Sequence, residues 1–253
     1  MDIFDLSGKI AIVTGGNRGI GFGITKGLAN AGATVVIANR NAPAGQAAAE
    51  SAKKEGLNVI AIATDVSDIS SIASMVAKVI NNFGKIDILV NNAAVVRRNP
   101  PEDISEEDWD FTMNINLKGL FFCCQLVGRE MIKHKKGKII NVSSIGSYLV
   151  RHGASVYAAS KAGVSHLTRA LAFEWARYNI NVNAIAPGLT LTDMSKKRFE
   201  EYPGYYEKVL SEIPRGRVGV PDDYAGAAIF FASEASDYIT GQVLYIDGGV
   251  ILG

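Results

Sequence analysis

Seven short apolar stretches recur along the chain: KIAIVT (9–14), TVVIAN (34–39), NVIAIAT (58–64), IDILVN (86–91), KIINVS (138–143), INVNAIA (180–186) and QVLYID (242–247). In most of them apolar residues follow one another instead of alternating with polar ones. That is the pattern of a strand covered on both faces, as in a parallel sheet. Between most of these stretches lie segments of helical length, at 20–31, 43–55, 68–83, 108–133, 157–178 and 221–233. Strand alternating with helix predicts right-handed βαβ units and a doubly wound α/β fold, a parallel seven-stranded sheet with helices on both faces. No linker, repeat or low-complexity tract interrupts it, so residues 1–253 are expected to form one domain.

Two segments depart from this rhythm. The helix from 108 carries Trp109, Phe111, Met113, Leu117, Leu120, Phe121, Phe122, Leu126 and Met131, apolar nearly all round. A helix buried on two sides points to a subunit interface. Residues 189–215, LTLTDMSKKRFEEYPGYYEKVLSEIPR, are long, charged and aromatic, and follow the end of a strand. Ligands of open α/β sheets bind at that edge. The segment is therefore expected to be a substrate lid, the alternative being a solvated surface excursion.

Composition narrows the class. The chain is 48% hydrophobic and 20% charged, with a formal net charge of +1. That suits a globular protein and excludes disorder. With no block of basic residues, neither nucleic acid nor an acidic membrane surface is an expected partner. MDIFDLSGKIAIV has no basic leader, and no stretch approaches the roughly 18 apolar residues of a spanning helix. The only cysteines, Cys123 and Cys124, are adjacent and cannot staple distant segments, which fits a reducing, cytoplasmic setting. The glycosylation pattern at Asn141–Ser143 falls in a core strand and is discounted. His134, His152 and His166 lack ligand spacing, so no metal site is expected.

Candidate chemistry begins at TGGNRGIG (14–21), between the first strand and the first helix. Gly15, Gly19 and Gly21 remove side chains where backbone must turn and a pyrophosphate must come close. The helix start then offers free N–H groups and a favourable dipole. Asn17, Arg18 and Ile20 share this loop. The second strand ends at Asn39, followed by Arg40, where folds that bind NAD usually carry an acid for the ribose 2′-hydroxyl. Arg18 and Arg40, with no carboxylate, suit a 2′-phosphate, so NADP(H) is favoured over NAD(H).

The motifs TGGNRGIG, DV (65–66), NNAA (91–94), NINLKG (114–119), VSS (142–144), YAASK (157–161) and APG (186–188) occur in that order. Together they resemble the short-chain dehydrogenase/reductase family over essentially the whole chain. The one departure is Ala94, where the family has glycine; its methyl should narrow the cofactor cleft slightly. The resemblance implies a Rossmann-type fold and a catalytic set of Asn116, Ser144, Tyr157 and Lys161. Tyr157 would be the acid/base. Lys161 would lower its pKa and hold the nicotinamide ribose. Ser144 would polarise the substrate oxygen and Asn116 would hold a water. Asp65 and Val66 would meet the adenine, Asn92 the adenosine ribose, and Thr190 and Thr192, after Pro187 and Gly188, the nicotinamide amide. The family resemblance also implies a homotetramer.

The spacing is consistent with these roles. Residues four apart share a helix face, so Tyr157 and Lys161 are neighbours. A free phenol titrates near ~10, and a fixed ammonium beside it favours the phenolate. FDLSGK, EDWD, VVRR and EWARYNINVNAIAPG further resemble the gluconate 5-dehydrogenase and deoxygluconate dehydrogenase branch. That branch implies a small-molecule alcohol or ketone substrate, a sugar acid or polyol. The rival is 3-oxoacyl-[acyl-carrier-protein] reductase, whose carrier-docking arginine is replaced by Tyr178. A non-catalytic NADP(H)-binding module would need the catalytic set broken, and it is intact. A sugar acid carries a carboxylate that arginine can clamp. Arg97 and Arg98 follow the fourth strand, and Arg151 lies between Ser144 and Tyr157. Consecutive residues of an extended loop point opposite ways, so at most one of Arg97 and Arg98 should face the cleft; the alternative is that both are solvated or pair with the acids at 102–108.

Overall fold

The computed structural model describes residues 3–253. Seven strands, β1 (Ile10–Thr14), β2 (Thr34–Asn39), β3 (Val59–Ala63), β4 (Ile88–Asn91), β5 (Gly137–Val142), β6 (Ile180–Pro187) and β7 (Val243–Ile246), form one parallel sheet in the order β3-β2-β1-β4-β5-β6-β7. The chain winds outward from β1 to β3, then crosses to the other side of β1 to lay down β4. Between β1 and β4 the winding reverses, and such a switch point opens a crevice at the carboxyl ends of the strands.

Helices α1 (Gly19–Asn30), α2 (Ala42–Lys54) and α9 (Ala225–Ala232) cover one face of the sheet; α3 (Ile69–Phe83), α5 (Leu120–His134) and α6 (Ser155–Trp175) cover the other. The strands supply both cores by simple alternation. Val35 and Ile37 pack with α1, while Val36 and Ala38 pack with the opposite layer. This is why the strands read as unbroken apolar runs. A fully buried Ile or Val contributes about 1.5–3 kcal/mol, so the inner strands are held from two sides, while Leu244 on the edge strand β7 is 42% exposed. No helix among the described residues is long and apolar enough to cross a membrane.

The structure alters three expected elements. The segment expected as one helix over 108–133 is divided into α4 (Glu106–Met113), a widened π-helical turn (Asn114–Gly119) and α5. Ser105 caps α4, accepting from the Asp108 backbone N–H at 3.1 Å. The π turn breaks the 3.6-residue register, so apolar residues before and after it face different directions. Hence α5 buries Leu120, Cys123, Cys124, Val127 and Met131, while Trp109 on α4 is 46% exposed. The helix expected over 157–178 starts two residues earlier and ends at Trp175, followed by a 3₁₀ turn and Asn179 with positive φ. The stretch 189–215 holds two short helices, α7 (Asp193–Glu201) and α8 (Tyr205–Ser211), seated on a small separate core of Ile145, Val209, Ile213, Val218 and Val250.

Candidate active site

At the switch point the glycine loop is fastened from both neighbouring strands. Gly15 N–H donates to Ala38 O at 2.7 Å, and the Asn92 side-chain amide donates to Thr14 O and Gly15 O at 3.0 and 3.1 Å. Gly15 has a φ of +63°, and a Cβ on Gly21 would collide with Gly15 O and Asn92 Nδ2. Both positions need glycine for backbone to pass this close. The start of α1 has neither a side-chain cap nor an acid in its first turn. Its N–H groups are left for an anion.

Beside it lies a cleft of about 750 Å³. It brings together Gly15, Asn17, Arg18, Gly19, Ile20, Gly21, Asn39, Arg40, Asp65, Val66, Asn92 and Thr192, together with Ala94. Arg18 and Arg40 are exposed, and neither has an ion pair among the described residues. Asp65 is the one carboxylate in the lining, and it is occupied by Ser67, whose N–H and hydroxyl donate to it at 2.9 and 2.6 Å. A glycine cradle, an uncapped helix start and two unpaired guanidiniums fit a phosphorylated dinucleotide. Two of these side chains are also held by the protein itself. Both amide hydrogens of Asn92 are taken by the glycine loop, so it pins that loop. Asn39 is 7% exposed, and its carboxamide donates to Asn41 O at 2.6 Å.

A second cavity of about 530 Å³ meets the first at Thr192, which lines both. Ser144 and Tyr157 line it. Ser144 follows β5 in extended conformation, and its Oγ accepts from Gly146 N–H at 3.0 Å. Tyr157 stands in the first turn of α6. Burial pushes its phenol up; the hydrogen bond with Ser144 and the Arg98 guanidinium pull it down, and burial wins.

Lys161 lies one turn further on, only 3% exposed, and lines neither cavity. Its Nζ donates to Val142 O at 2.8 Å and stands 5.8 Å from the centre of the Tyr157 ring. Burial without a carboxylate partner drops its pKa from 10.5 to about 8. Its ammonium is directed at the Val142 carbonyl, and the Arg98 guanidinium is among the groups that pull the Tyr157 phenol down.

Asn116 sits in the π turn, fully buried. Its Oδ1 accepts from Val95 N–H at 2.8 Å, and its Nδ2 donates to Val95 O at 2.9 Å and Ser160 Oγ at 3.1 Å. Ser160 in turn donates to the Tyr157 carbonyl at 2.7 Å. With both amide hydrogens engaged, this side chain ties the β4 loop to α6. Ser160 was not foreseen; the Asn116 link shows only when α6 packs on the π turn.

At the end of β6, Pro187 lines neither cavity, whereas Gly188, Thr190 and Thr192 line the second. The Thr190 hydroxyl bonds to Gly188 O at 3.1 Å and to the buried Tyr224 hydroxyl, so it is turned inward. Leu189, Phe199, Tyr202, Tyr205 and Val209, from the segment expected to be a lid, make the cavity's apolar wall.

The three candidate arginines separate. Arg98 and Arg151 line the second cavity, Arg151 also pairing with Glu212 at 2.9 Å. Arg97 lines neither cavity; it pairs with Asp108 and packs over the Phe111 ring, 4.1 Å from its centre. The two neighbouring side chains diverge, Arg97 to α4 and Arg98 to the cavity.

Residues 15–251 match the family model described as Enoyl-(Acyl carrier protein) reductase. The chain is 43% identical over 250 residues to a 2-dehydro-3-deoxy-D-gluconate 5-dehydrogenase of Dickeya dadantii, covering 98% of each protein. It is also 43% identical over 246 residues to a 3-oxoacyl-[acyl-carrier-protein] reductase of Chlamydia trachomatis, covering 97% of this chain and 98% of that one. Among solved structures it resembles a gluconate 5-dehydrogenase from Burkholderia cenocepacia in complex with NADP and tartrate, at a TM-score of 0.95 and 38% identity, over 100% of this chain and 98% of that one.

Proposed function

The chain belongs to the short-chain dehydrogenase/reductase family and is an oxidoreductase acting on a CH–OH group; within that class we propose that it moves a hydride between NADP(H) and a secondary alcohol or ketone of a sugar acid. The observation that carries this reading is the presence of Arg98 in the same cavity as Ser144 and Tyr157. A carboxylate held by Arg98 leaves the hydroxylated carbons of the same molecule for Ser144 and Tyr157. An acyl thioester has no carboxylate to offer there. The gluconate-type relatives support the same choice.

The residues divide the work as follows. Ser144 donates to the carbonyl oxygen of the substrate and holds it beside the phenol. Tyr157 gives that oxygen a proton in reduction and takes it back in oxidation. Lys161, Asn116 and Ser160 fix the helix turn that carries Tyr157. The nicotinamide, when bound, supplies or accepts the hydride. Arg18 and Arg40 are assigned to the 2′-phosphate, and Asp65 and Val66 to the adenine. Thr192 serves the nicotinamide end, and residues 189–215 close over the substrate.

We assign the protein to the cytoplasm as a homotetramer. Trp109 on α4 and Phe173 on α6, 46% and 87% exposed, support an apolar contact between subunits through these helices. The test is a panel of aldonates, deoxy-ketoaldonates, polyols, simple ketones and a β-ketoacyl thioester, each with both cofactors. The sugar acids are expected to give the highest kcat/KM, with NADP(H). Preference for the thioester would replace this reading with that of an acyl-carrier-protein reductase.

A further inference from the structure

The end of β2 holds a polar atom that the family motifs do not account for. Asn39 closes β2, and its backbone carbonyl accepts from Thr64 N–H at 3.0 Å, which anchors it to the turn after β3. Asn39 lines the dinucleotide cleft, but its carboxamide oxygen is buried. Nδ2 donates to Asn41 O at 2.6 Å, and Oδ1 is buried with no hydrogen-bond partner among the described residues. Asn41 is also the cap of α2: its Oδ1 accepts from Ala44 N–H, and its carbonyl accepts from Gly45 N–H, both at 3.0 Å. The Asn39 carboxamide is thus folded under the first turn of α2, against Gly45. A Cβ on Gly45 would fall on Asn39 Oδ1, with Cγ at 3.0 Å and Nδ2 at 3.2 Å.

A side chain at position 45 and the present conformation of Asn39 exclude each other. The far end of Asn39 is the flexible partner of the two. Asn39 borders the cleft of about 750 Å³ that also holds Arg18 and Arg40. That cleft is the open direction in which a displaced carboxamide can swing. There it would take up space that a 2′-phosphate must fill, and its oxygen could accept a hydrogen bond from a free ribose 2′-hydroxyl.

We propose that Gly45 is a specificity-determining residue: by leaving room for Asn39 under α2, it keeps the 2′ side of the ribose clear for a phosphate held by Arg18 and Arg40. The proposal rests on the NADP(H) reading above and adds a residue outside the binding surface to it. Asn39 acts by keeping its carboxamide folded against Gly45 and bonded to Asn41 O, which explains how a polar side chain at the position usually given to an acid is compatible with a phosphorylated ribose.

The experiment is a titration of NADPH and NADH, followed by nucleotide fluorescence, on wild type, Gly45→Ala, Asn39→Ala and the double variant, with a thermal melt of each. Gly45→Ala is expected to weaken NADPH at least tenfold and to leave NADH within threefold of wild type or tighter. In the Asn39→Ala background the same change is expected to alter NADPH affinity less than twofold, because the displaced group is gone. Should Gly45→Ala alone fail to fold, the double variant is expected to melt and bind like Asn39→Ala. Equal loss of both nucleotides, an unchanged NADPH affinity in Gly45→Ala, or a double variant as impaired as Gly45→Ala would overturn the proposal. A wild type that binds NADH more tightly than NADPH would remove the cofactor reading separately, since the dependence of position 45 on position 39 is still measured.

Discussion

The ammonium of Lys161 lies 5.8 Å from the centre of the Tyr157 ring, yet it gives its hydrogen bond to the carbonyl of Val142 at 2.8 Å. The lysine is buried, carries no paired carboxylate and has its pKa lowered to about 8. It is an expensive residue in the folded state, held beside the group that performs the proton transfer. Removing it should therefore separate stability from activity. Lys161→Met is expected to raise the melting temperature at neutral pH while turnover is lost. The cost of burying the charge is roughly 3 kcal/mol, taking 1.36 kcal/mol per unit between 10.5 and about 8.

The pH dependence follows from the same shift. Between about 8 and 10.5 the unfolded lysine is protonated and the folded one is not, so the unfolded state binds more protons. Stability then rises with pH across that window, and below 8 the full cost of the buried charge is present. Measured by chemical denaturation, wild type is expected to gain on Lys161→Met as pH climbs from 8 toward 10. A difference between the two proteins that does not change over this range would show that the ammonium is solvated or paired.

Tyr157→Phe keeps the ring and removes the one hydroxyl placed beside Ser144 in the substrate cavity. Loss of general acid catalysis costs about 10² to 10⁴ in rate. NADPH affinity is expected to stay near that of wild type, since the phosphate-binding loop is on α1. A variant retaining more than a tenth of wild-type kcat would mean that another group transfers the proton.

Arg98→Ala should raise KM for a sugar acid at least tenfold and leave a small uncharged ketone with its wild-type KM. Arg97→Ala should not distinguish the two substrates, because its guanidinium is committed to Asp108 and Phe111. The Arg97 side chain is 38% exposed, so losing that pair should cost less than about 1 kcal/mol of stability. Steady-state kinetics on both variants decide the matter, and equal effects of Arg98→Ala on charged and uncharged substrates would count against a carboxylate in this cavity.

Arg40→Asp is expected to move preference from NADPH toward NADH. The carboxylate would repel a 2′-phosphate and accept a bond from a ribose hydroxyl. Each tenfold change corresponds to about 1.4 kcal/mol, and a charge-assisted hydrogen bond contributes roughly 1.5–3 kcal/mol. The ratio of kcat/KM for the two cofactors is the measurement; a ratio that does not fall would free Arg40 from the role.

Cys123 and Cys124 should be silent toward thiol reagents in the native protein. Both are buried, and burial pushes Cys123 up to about 12 and Cys124 higher still. Two thiols are expected to react only after unfolding in denaturant, and rapid native labelling of either would show that α5 opens locally.

The parallel α/β architecture and its motif positions were legible along the chain because they depend on local rules. A strand covered on both faces needs consecutive apolar residues, and a phosphate loop needs glycines between a strand and a helix. The spacing of Tyr157 and Lys161 likewise follows from one helical turn. What the chain could not reveal were directions. Whether Arg97 or Arg98 turns to the cavity was settled by Asp108 and Phe111 on α4. Where Lys161 sends its proton was settled by the carbonyl at the end of β5, and the task of Asn116 by a backbone segment twenty-one residues away. The fate of Asn39 depended on a glycine in the next helix. Composition and periodicity determined which residues are buried and which elements they build, because hydrophobic burial is non-directional and additive along the sequence. Only the tertiary structure decided which hydrogen bonds the polar groups make, because each bond requires two partners from distant segments to arrive within about 3 Å in the right orientation.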